Sequence, residues 1–252
     1  MREVEGWPTA RNVIDMTWTF KQGVRMSHVT PENERLSGCR VAVLATDGVE
    51  QVELDEPVRA LRAAGAKVDI VAPSSGSIQG MNGIDQAGQI DVDRVLGDVS
   101  AADYQALVIP GGVISPDSLR TEPAAVTFVR EMMDTDRPVA AICHGPWLLV
   151  EADKVKGRTL TSWASLQTDI RNAGGEWVDR QVVVDQKLIT SRNPDDLPAF
   201  CGKLTSVLAS WLAERNLDAQ IEQSFPASDP PSTSAVATGP RASRDPSSRP
   251  SA

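Results

Sequence analysis

A cysteine and a histidine stand side by side at Cys143-His144, between the apolar run Val139 to Ile142 and the pair Gly145-Pro146. The run has the length and character of a buried parallel strand, and Gly-Pro is the punctuation of a helix start, so Cys143 falls on the bend between them. Small residues flank it at both two-residue offsets, Ala141 and Gly145. That is the frame of a nucleophile elbow, where a strained turn lifts the nucleophile clear of the sheet and only small neighbours avoid a clash. At a helix N-terminus the thiol also faces unpaired N–H groups, which predicts an ionised sulfur. His144 is the expected base, because the only other histidine is His28 near the N-terminus. Neighbouring side chains normally point apart, so the pairing needs a bend that swings the ring back toward sulfur.

Two further stretches offer chemistry. In Asp47-Gly48-Val49-Glu50-Gln51-Val52-Glu53, the acid at Glu53 sits in the first turn of a predicted helix. It serves there either as a simple helix-start acid or as a carboxyl aimed at the thiol, able to tune its ionisation. Gly111-Gly112 makes either an ordinary tight turn or a backbone that approaches a reacting atom and offers N–H groups to an oxyanion. With two histidines and no CxxC or HxxxH, neither a metal centre nor a bound cofactor is expected.

These residues need a frame that brings distant loops together. Between Arg40 and Asn216 the sequence alternates strand and helix: strand Arg40 to Thr46, an amphipathic helix ending at Gly65, strand Lys67 to Pro73, a Gly-rich insertion from Ser74 to Asp103, and strand Tyr104 to Pro110. Helix Thr121 to Asp136, the elbow strand and strand Arg158 to Trp163 follow, then a short helix, hairpin material and a closing helix from about Pro194. Such order predicts a single doubly wound α/β domain with a mostly parallel sheet sandwiched by helices. Ligands of such sheets bind outside the carboxyl ends of the strands, which brings the Asp47, Gly111, Cys143 and Trp163 loops to one pocket. The domain is expected over 38–216, preceded by an N-terminal extension over 1–37, within which Met26 opens a more ordinary-looking start, and followed by a disordered Pro/Ser/Ala-rich tail over 217–252.

The chain has 252 residues, 41% of them hydrophobic, and a formal charge of −9 with its basic residues scattered. That argues against nucleic acid or an anionic membrane as partner. The first residues lack a basic start followed by an apolar core, and three distant cysteines do not make a disulfide framework, so a reducing, cytoplasmic location is expected. Cys39 and Cys201 read as packing residues.

Taken together, TDGVEQVEL, PGGVISPD, AICHGPW, LTSW and NAGGEWVD resemble the PfpI-type intracellular cysteine peptidase and deglycase family of the class I glutamine amidotransferase-like superfamily, over about Arg40 to Leu212. The resemblance implies a flavodoxin-like sheet, Cys143 as nucleophile, His144 as its partner, Glu53 hydrogen-bonded to the thiol and Glu50 as a second pocket carboxylate. Gly112 and the His144 amide would form the oxyanion hole beside Gly111. Asp117 would orient His144 from a neighbouring subunit, one methylene shorter than the Glu of some relatives, which implies a homodimer or larger homo-oligomer with a shared site. Trp163 in place of a frequent Tyr, and Met81 in place of a polar residue, imply a more apolar mouth. The substrate class implied is a small reactive carbonyl or its protein adduct, in a glyoxalase or deglycase reaction, or a peptide. The alternatives are a redox or stress sensor working through Cys143 oxidation and a glutaminase, which would need a histidine downstream of His144 that the chain lacks.

Overall fold

A computed structural model describes residues 34–224. The expected N-terminal arm before residue 34, with Met26 and His28, and the tail beyond residue 224 lie outside the described residues. Strand β1 (Arg40–Leu44) is followed by β2 (Val49–Glu50), helix α1 (Gln51–Ala63) and β3 (Lys67–Ala72). Then come β4 (Ser77–Asn82), β5 (Asp85–Asp91), β6 (Arg94–Val95) and β7 (Ala106–Ile109), followed by α2 (Ile114–Leu119), α3 (Pro123–Met133), β8 (Val139–Ile142) and α4 (Pro146–Glu151). The chain closes with β9 (Thr159–Leu160), α5 (Gln167–Asn172), β10 (Glu176–Trp177), β11 (Val182–Asp185), β12 (Leu188–Ser191) and α6 (Leu197–Ser224).

Seven strands form the central sheet in the order β11-β12-β8-β7-β1-β3-β6. All its pairings are parallel except β11 with β12, where the hairpin expected near the C-terminus adds an antiparallel edge. Because side chains alternate along a strand, β1 divides its residues between two cores: Val41 and Val43 on one face, Ala42 and Leu44 on the other. Leu54, Val58 and Leu61 of α1 and Phe200, Leu204, Leu208 and Trp211 of α6 fill the first face at helical spacing. Phe128, Val129 and Met132 of α3, with Leu148 and Leu149 of α4, fill the second. The chain leaves β1 for β3 on one side and returns as β7 on the other, so the order reverses at β1 and opens a crevice at the carboxyl ends of β1, β7 and β8.

The structure corrects four boundaries. Residues Ser74 to Asp103 are not a plain insertion: β4 and β5 form a hairpin that pairs with β2 in a separate three-stranded sheet. Only Thr159–Leu160 of the expected strand Arg158 to Trp163 is extended, and it pairs with β10 rather than joining the main sheet, where β12 takes the place beside β8. Leu36, assigned to the N-terminal extension, is fully buried in the core, and its N–H donates to the Ala64 carbonyl at 2.8 Å. Helix α6 runs on to Ser224, so residues 217–224 are helix rather than tail; no Gly or Pro interrupts them before Pro226.

Candidate active site

Cys143 follows the last residue of β8 and holds φ at +59°, the left-handed region that L side chains enter at a cost of roughly 1–2 kcal/mol. The surrounding backbone imposes it: the Cys143 N–H donates to the Ser191 carbonyl at 3.1 Å, and the Cys143 carbonyl accepts from the Trp163 N–H at 2.8 Å. This turn supplies the bend that adjacency alone would not. The His144 ring comes back over its neighbour, with Nδ1 3.2 Å from the Cys143 Sγ. Burial lowers the His144 pKa, so the ring is neutral and free to accept a proton near neutral pH.

Glu53, in the first turn of α1, has no exposed surface. Its Oε2 accepts the Gly111 N–H at 2.9 Å, while Oε1 is buried and makes no hydrogen bond of ordinary geometry. Burial pushes this acid up to about 8, against the pull of the facing Cys143 thiol and the Gly111 and Gly112 amides, with the charge of Glu50 adding to the rise. Glu53 thus keeps its first-turn position on α1 and also faces the Cys143 thiol.

The sulfur itself departs from the sequence expectation. Burial first, and the Glu53 carboxylate second, push the Cys143 thiol up, with the Gly112 and His144 amides pulling the other way. Cys143 is only 6% exposed, and α4 is a six-residue helix with little dipole to offer. The resting thiol therefore keeps its proton until a base removes it, and His144 is the base within reach.

Gly111 and Gly112 are required by contact. A Cβ at Gly111 would stand 2.6 Å from the Cys143 Cβ and collide with the Glu53 carboxylate. Gly112 has φ +81°, and a Cβ there would lie 2.5 Å from the Gly48 carbonyl oxygen. The two loops are thereby held together, with the Gly112 amide near enough to the sulfur to pull its pKa down.

Around these groups opens a cavity of about 650 Å³. Glu50, Glu53, Gly112, Cys143 and His144 lie along it together with Trp163 and Pro194, and Met81, Ile84, Val113 and Ile114 add apolar walls; among the described residues no lysine or arginine lines it. Glu50 also accepts the Gly83 N–H at 3.0 Å, tying the β4–β5 turn to the start of α1. Trp163 stacks on His144 at 5.8 Å between ring centroids, and Trp147 packs on the same ring at 5.2 Å. Asp117 does not join this group. It lies on α2 with a side chain 65% exposed, beside Arg120 at 4.0 Å, and does not line the cavity.

Sequence reasoning missed Ser165, whose Oγ lies 3.3 Å from the His144 Nε2, and the hairpin wall around Ile84. A hydroxyl two residues past Trp163 was the available signal for the first; the Gly-rich spacing hid the second. Among the described residues no group of three or more His, Cys, Asp or Glu could hold a metal ion, and no helix is long and apolar enough to cross a membrane.

A doubly wound α/β domain with a cysteine on a left-handed elbow, its histidine next in sequence and a buried glutamate against the sulfur defines a class of proteins. The chain belongs to the DJ-1/PfpI family, whose model matches residues 39–206. It is 42% identical over 163 residues to the protein/nucleic acid deglycase 2 of Escherichia coli strain K12, covering 64% of this chain and 92% of that one. It is 37% identical over 169 residues to the deglycase PfpI of Pyrococcus furiosus, covering 67% of this chain and 99% of the relative. Among solved structures, a two-domain protein of Anabaena variabilis with DJ-1/ThiJ/PfpI-like and ferritin-like domains superposes with a TM-score of 0.64 at 36% identity, over 68% of this chain and 48% of that one. Drosophila melanogaster DJ-1beta superposes with a TM-score of 0.63 at 26% identity, over 73% and 97%.

Proposed function

We propose that the protein is a cysteine-dependent enzyme acting on small reactive carbonyls, 2-oxoaldehydes or their adducts, in a glyoxalase- or deglycase-type reaction. The observation that carries this reading is the convergence of the Cys143 sulfur, a neutral His144 Nδ1, a buried Glu53 and two backbone N–H groups on one cavity of small-molecule size. His144 takes the thiol proton as sulfur adds to the aldehyde carbon. The C–S bond forms, and the carbonyl oxygen becomes an oxyanion facing the Gly112 and His144 amides. Moving the hydrogen from that carbon to the neighbouring carbonyl, with Glu53 or His144 carrying the proton, leaves a thioester on Cys143. Water then releases a 2-hydroxy acid and restores the thiol, so the net change is an internal oxidation and reduction plus one water.

The relatives named as deglycases support this chemistry, and the acidic floor with apolar walls favours neutral substrates over anionic ones. A sensor reading asks for an exposed, low-pKa thiolate, whereas this thiol is buried and pushed up. A site shared between copies rests on Asp117, whose exposure leaves it free to meet a second copy.

The test is turnover by the purified protein of methylglyoxal, phenylglyoxal and glyoxylate. The two neutral aldehydes should be consumed and the anion left, and Cys143→Ala should lower the rate at least about a thousandfold. An inactive parent on both aldehydes, or an active Cys143→Ala, overturns the reading.

A further inference from the structure

We propose that a cavity at the end of the sheet opposite the active site binds a small phosphorylated sugar or polyol, with its phosphate on Arg137 and Arg215 and its hydroxyls on Asp136 and the neighbouring amides. The cavity measures about 300 Å³, the lower end of the range for small-molecule sites. Gln105 stands immediately before β7 and Arg137 two residues before β8, so the cavity lies at the amino ends of the strands whose carboxyl ends lead to Gly111 and Cys143. Helix α6 supplies Trp211, Arg215 and Asn216. No lining residue is shared with the catalytic cavity, and the inference goes beyond the carbonyl reading above.

The donors of this cavity are not used up by the fold. Acids outnumber bases by 34 to 25 along the chain, yet among the described residues neither guanidinium pairs with a carboxylate. Arg137 engages one N–H with the Ala101 carbonyl at 2.6 Å, which fixes the side chain and leaves its other donors open. Arg215 is exposed and lies over the Trp211 ring, 5.3 Å from its centroid, so a ring face rather than an acid sets its position. Trp211 is 3% exposed, and its Nε1–H is buried with no hydrogen-bond partner among the described residues. A buried donor left unpaired is costly, and an indole N–H can only donate, so the group that completes it is an acceptor. Gln105 adds a further donor: its side-chain oxygen accepts the Arg40 N–H at 2.8 Å, which leaves its amide N–H groups.

Two guanidiniums suit a phosphate, which carries about −1.5 to −2 charge near neutral pH and accepts planar N–H forks in pairs. Asp136 decides what the phosphate is attached to. Its carboxylate, exposed on the same wall and unpaired among the described residues, repels a bare anion but accepts a hydroxyl. An acid beside two cations thus selects a hydroxylated phosphate ester over inorganic phosphate.

The full chain is titrated at constant ionic strength with sorbitol 6-phosphate, sorbitol and inorganic phosphate. None of these carries a carbonyl for Cys143, so the outcome is separate from that of the turnover test. Affinity is read by calorimetry, and the Trp211 indole N–H by its NMR signal, identified through its loss in Trp211→Phe. Sorbitol 6-phosphate should bind saturably, shift that signal, and bind at least about tenfold more tightly than either sorbitol or inorganic phosphate. Arg137→Ala and Arg215→Ala should each weaken it about tenfold or more, and Trp211→Phe about three- to tenfold. Asp136→Ala should shrink the preference for the ester over inorganic phosphate, and Cys143→Ala should bind as the parent does. Thermal melting of each variant controls for folding, and the exposed Arg215 keeps the test open should Trp211→Phe unfold. If the parent shows no saturable binding of the ester, binds inorganic phosphate equally well, or is matched in affinity by both arginine variants, the assignment is wrong.

Discussion

Glu53 brings the competing demands of the site onto a single side chain. A carboxyl with no exposed surface and an ordinary pKa of 4.5 rises to about 8 here, because burial penalises its charged form. The folded protein thus binds one more proton than the unfolded chain between those values. The stability contributed by the neutral acid is fully present below the unfolded pKa and is lost as pH rises through the folded one. His144, shifted down, acts at lower pH and with the opposite sign, and the three raised thiols act above their ordinary 9.0. Between about pH 6.5 and 8.5, therefore, the unfolding free energy of the parent, read from denaturant curves, should fall by about 2 kcal/mol, and Glu53→Gln should flatten the slope. A parent as flat as the variant would mean that Glu53 is already ionised. At this scale the sequence was informative about identity but not about ionisation. The elbow frame pointed to Cys143, whereas the first-turn position left Glu53 open to a helix-start role and only the family resemblance turned it toward the thiol; the rise of both pKa values comes from tertiary burial that no local pattern encodes.

Among the elements, the β4–β5 hairpin departs furthest from its sequence. Its residues, SIQGMNGIDQAGQID, carry glycines where alternating apolar residues would mark a strand, and its ordering comes from side chains at the start of α1. Gln51 accepts the Gly88 N–H at 2.7 Å, Glu50 holds the Gly83 N–H, and Asp47 accepts the Gln79 N–H at 2.7 Å. One loop thus supplies both Glu53 and the fastenings of the opposite wall. Gln51→Ala should loosen that wall without touching the sulfur: amide exchange at Gly83 and Gly88 should quicken, KM should rise a few-fold with kcat largely kept, and stability should drop by roughly 1 kcal/mol. Unchanged exchange at both glycines would show that the hairpin stands by itself. Helices and buried strands were legible because their apolar residues repeat at regular spacing, as in Leu54, Val58 and Leu61 or along Val139 to Ile142. The short α2 was not, since Ser115-Pro116-Asp117 reads as a turn and Pro is tolerated only because it falls within the first turn of the helix. Residues 161–163 look like a continuing strand, yet the Thr161 N–H is taken by the Thr190 hydroxyl at 2.9 Å, and the chain leaves the sheet there.

For the whole molecule, the sheet order places the parts of the site on strands formed at very different separations along the chain. The β1–α1–β3 unit closes over a short crossover, whereas Glu53 meets Gly111 across 58 residues and β8 depends on β12 for one of its two neighbours. The Cys143 N–H has its partner only once Ser191 has arrived on β12. Parallel pairing across long loops is slow, so the chain should pass through an interval in which the first crossover is formed and the elbow is not. Pulsed alkylation during refolding should find Cys39, at the edge of β1, protected early, and Cys143 protected only in the phase that also protects the β12 amides. Protection of Cys143 before Cys39 would reverse that order. If β12 docks last, as these separations predict, a partly folded chain carries the sulfur but not the turn that brings the His144 ring over it, and that pairing is acquired together with the completed sheet.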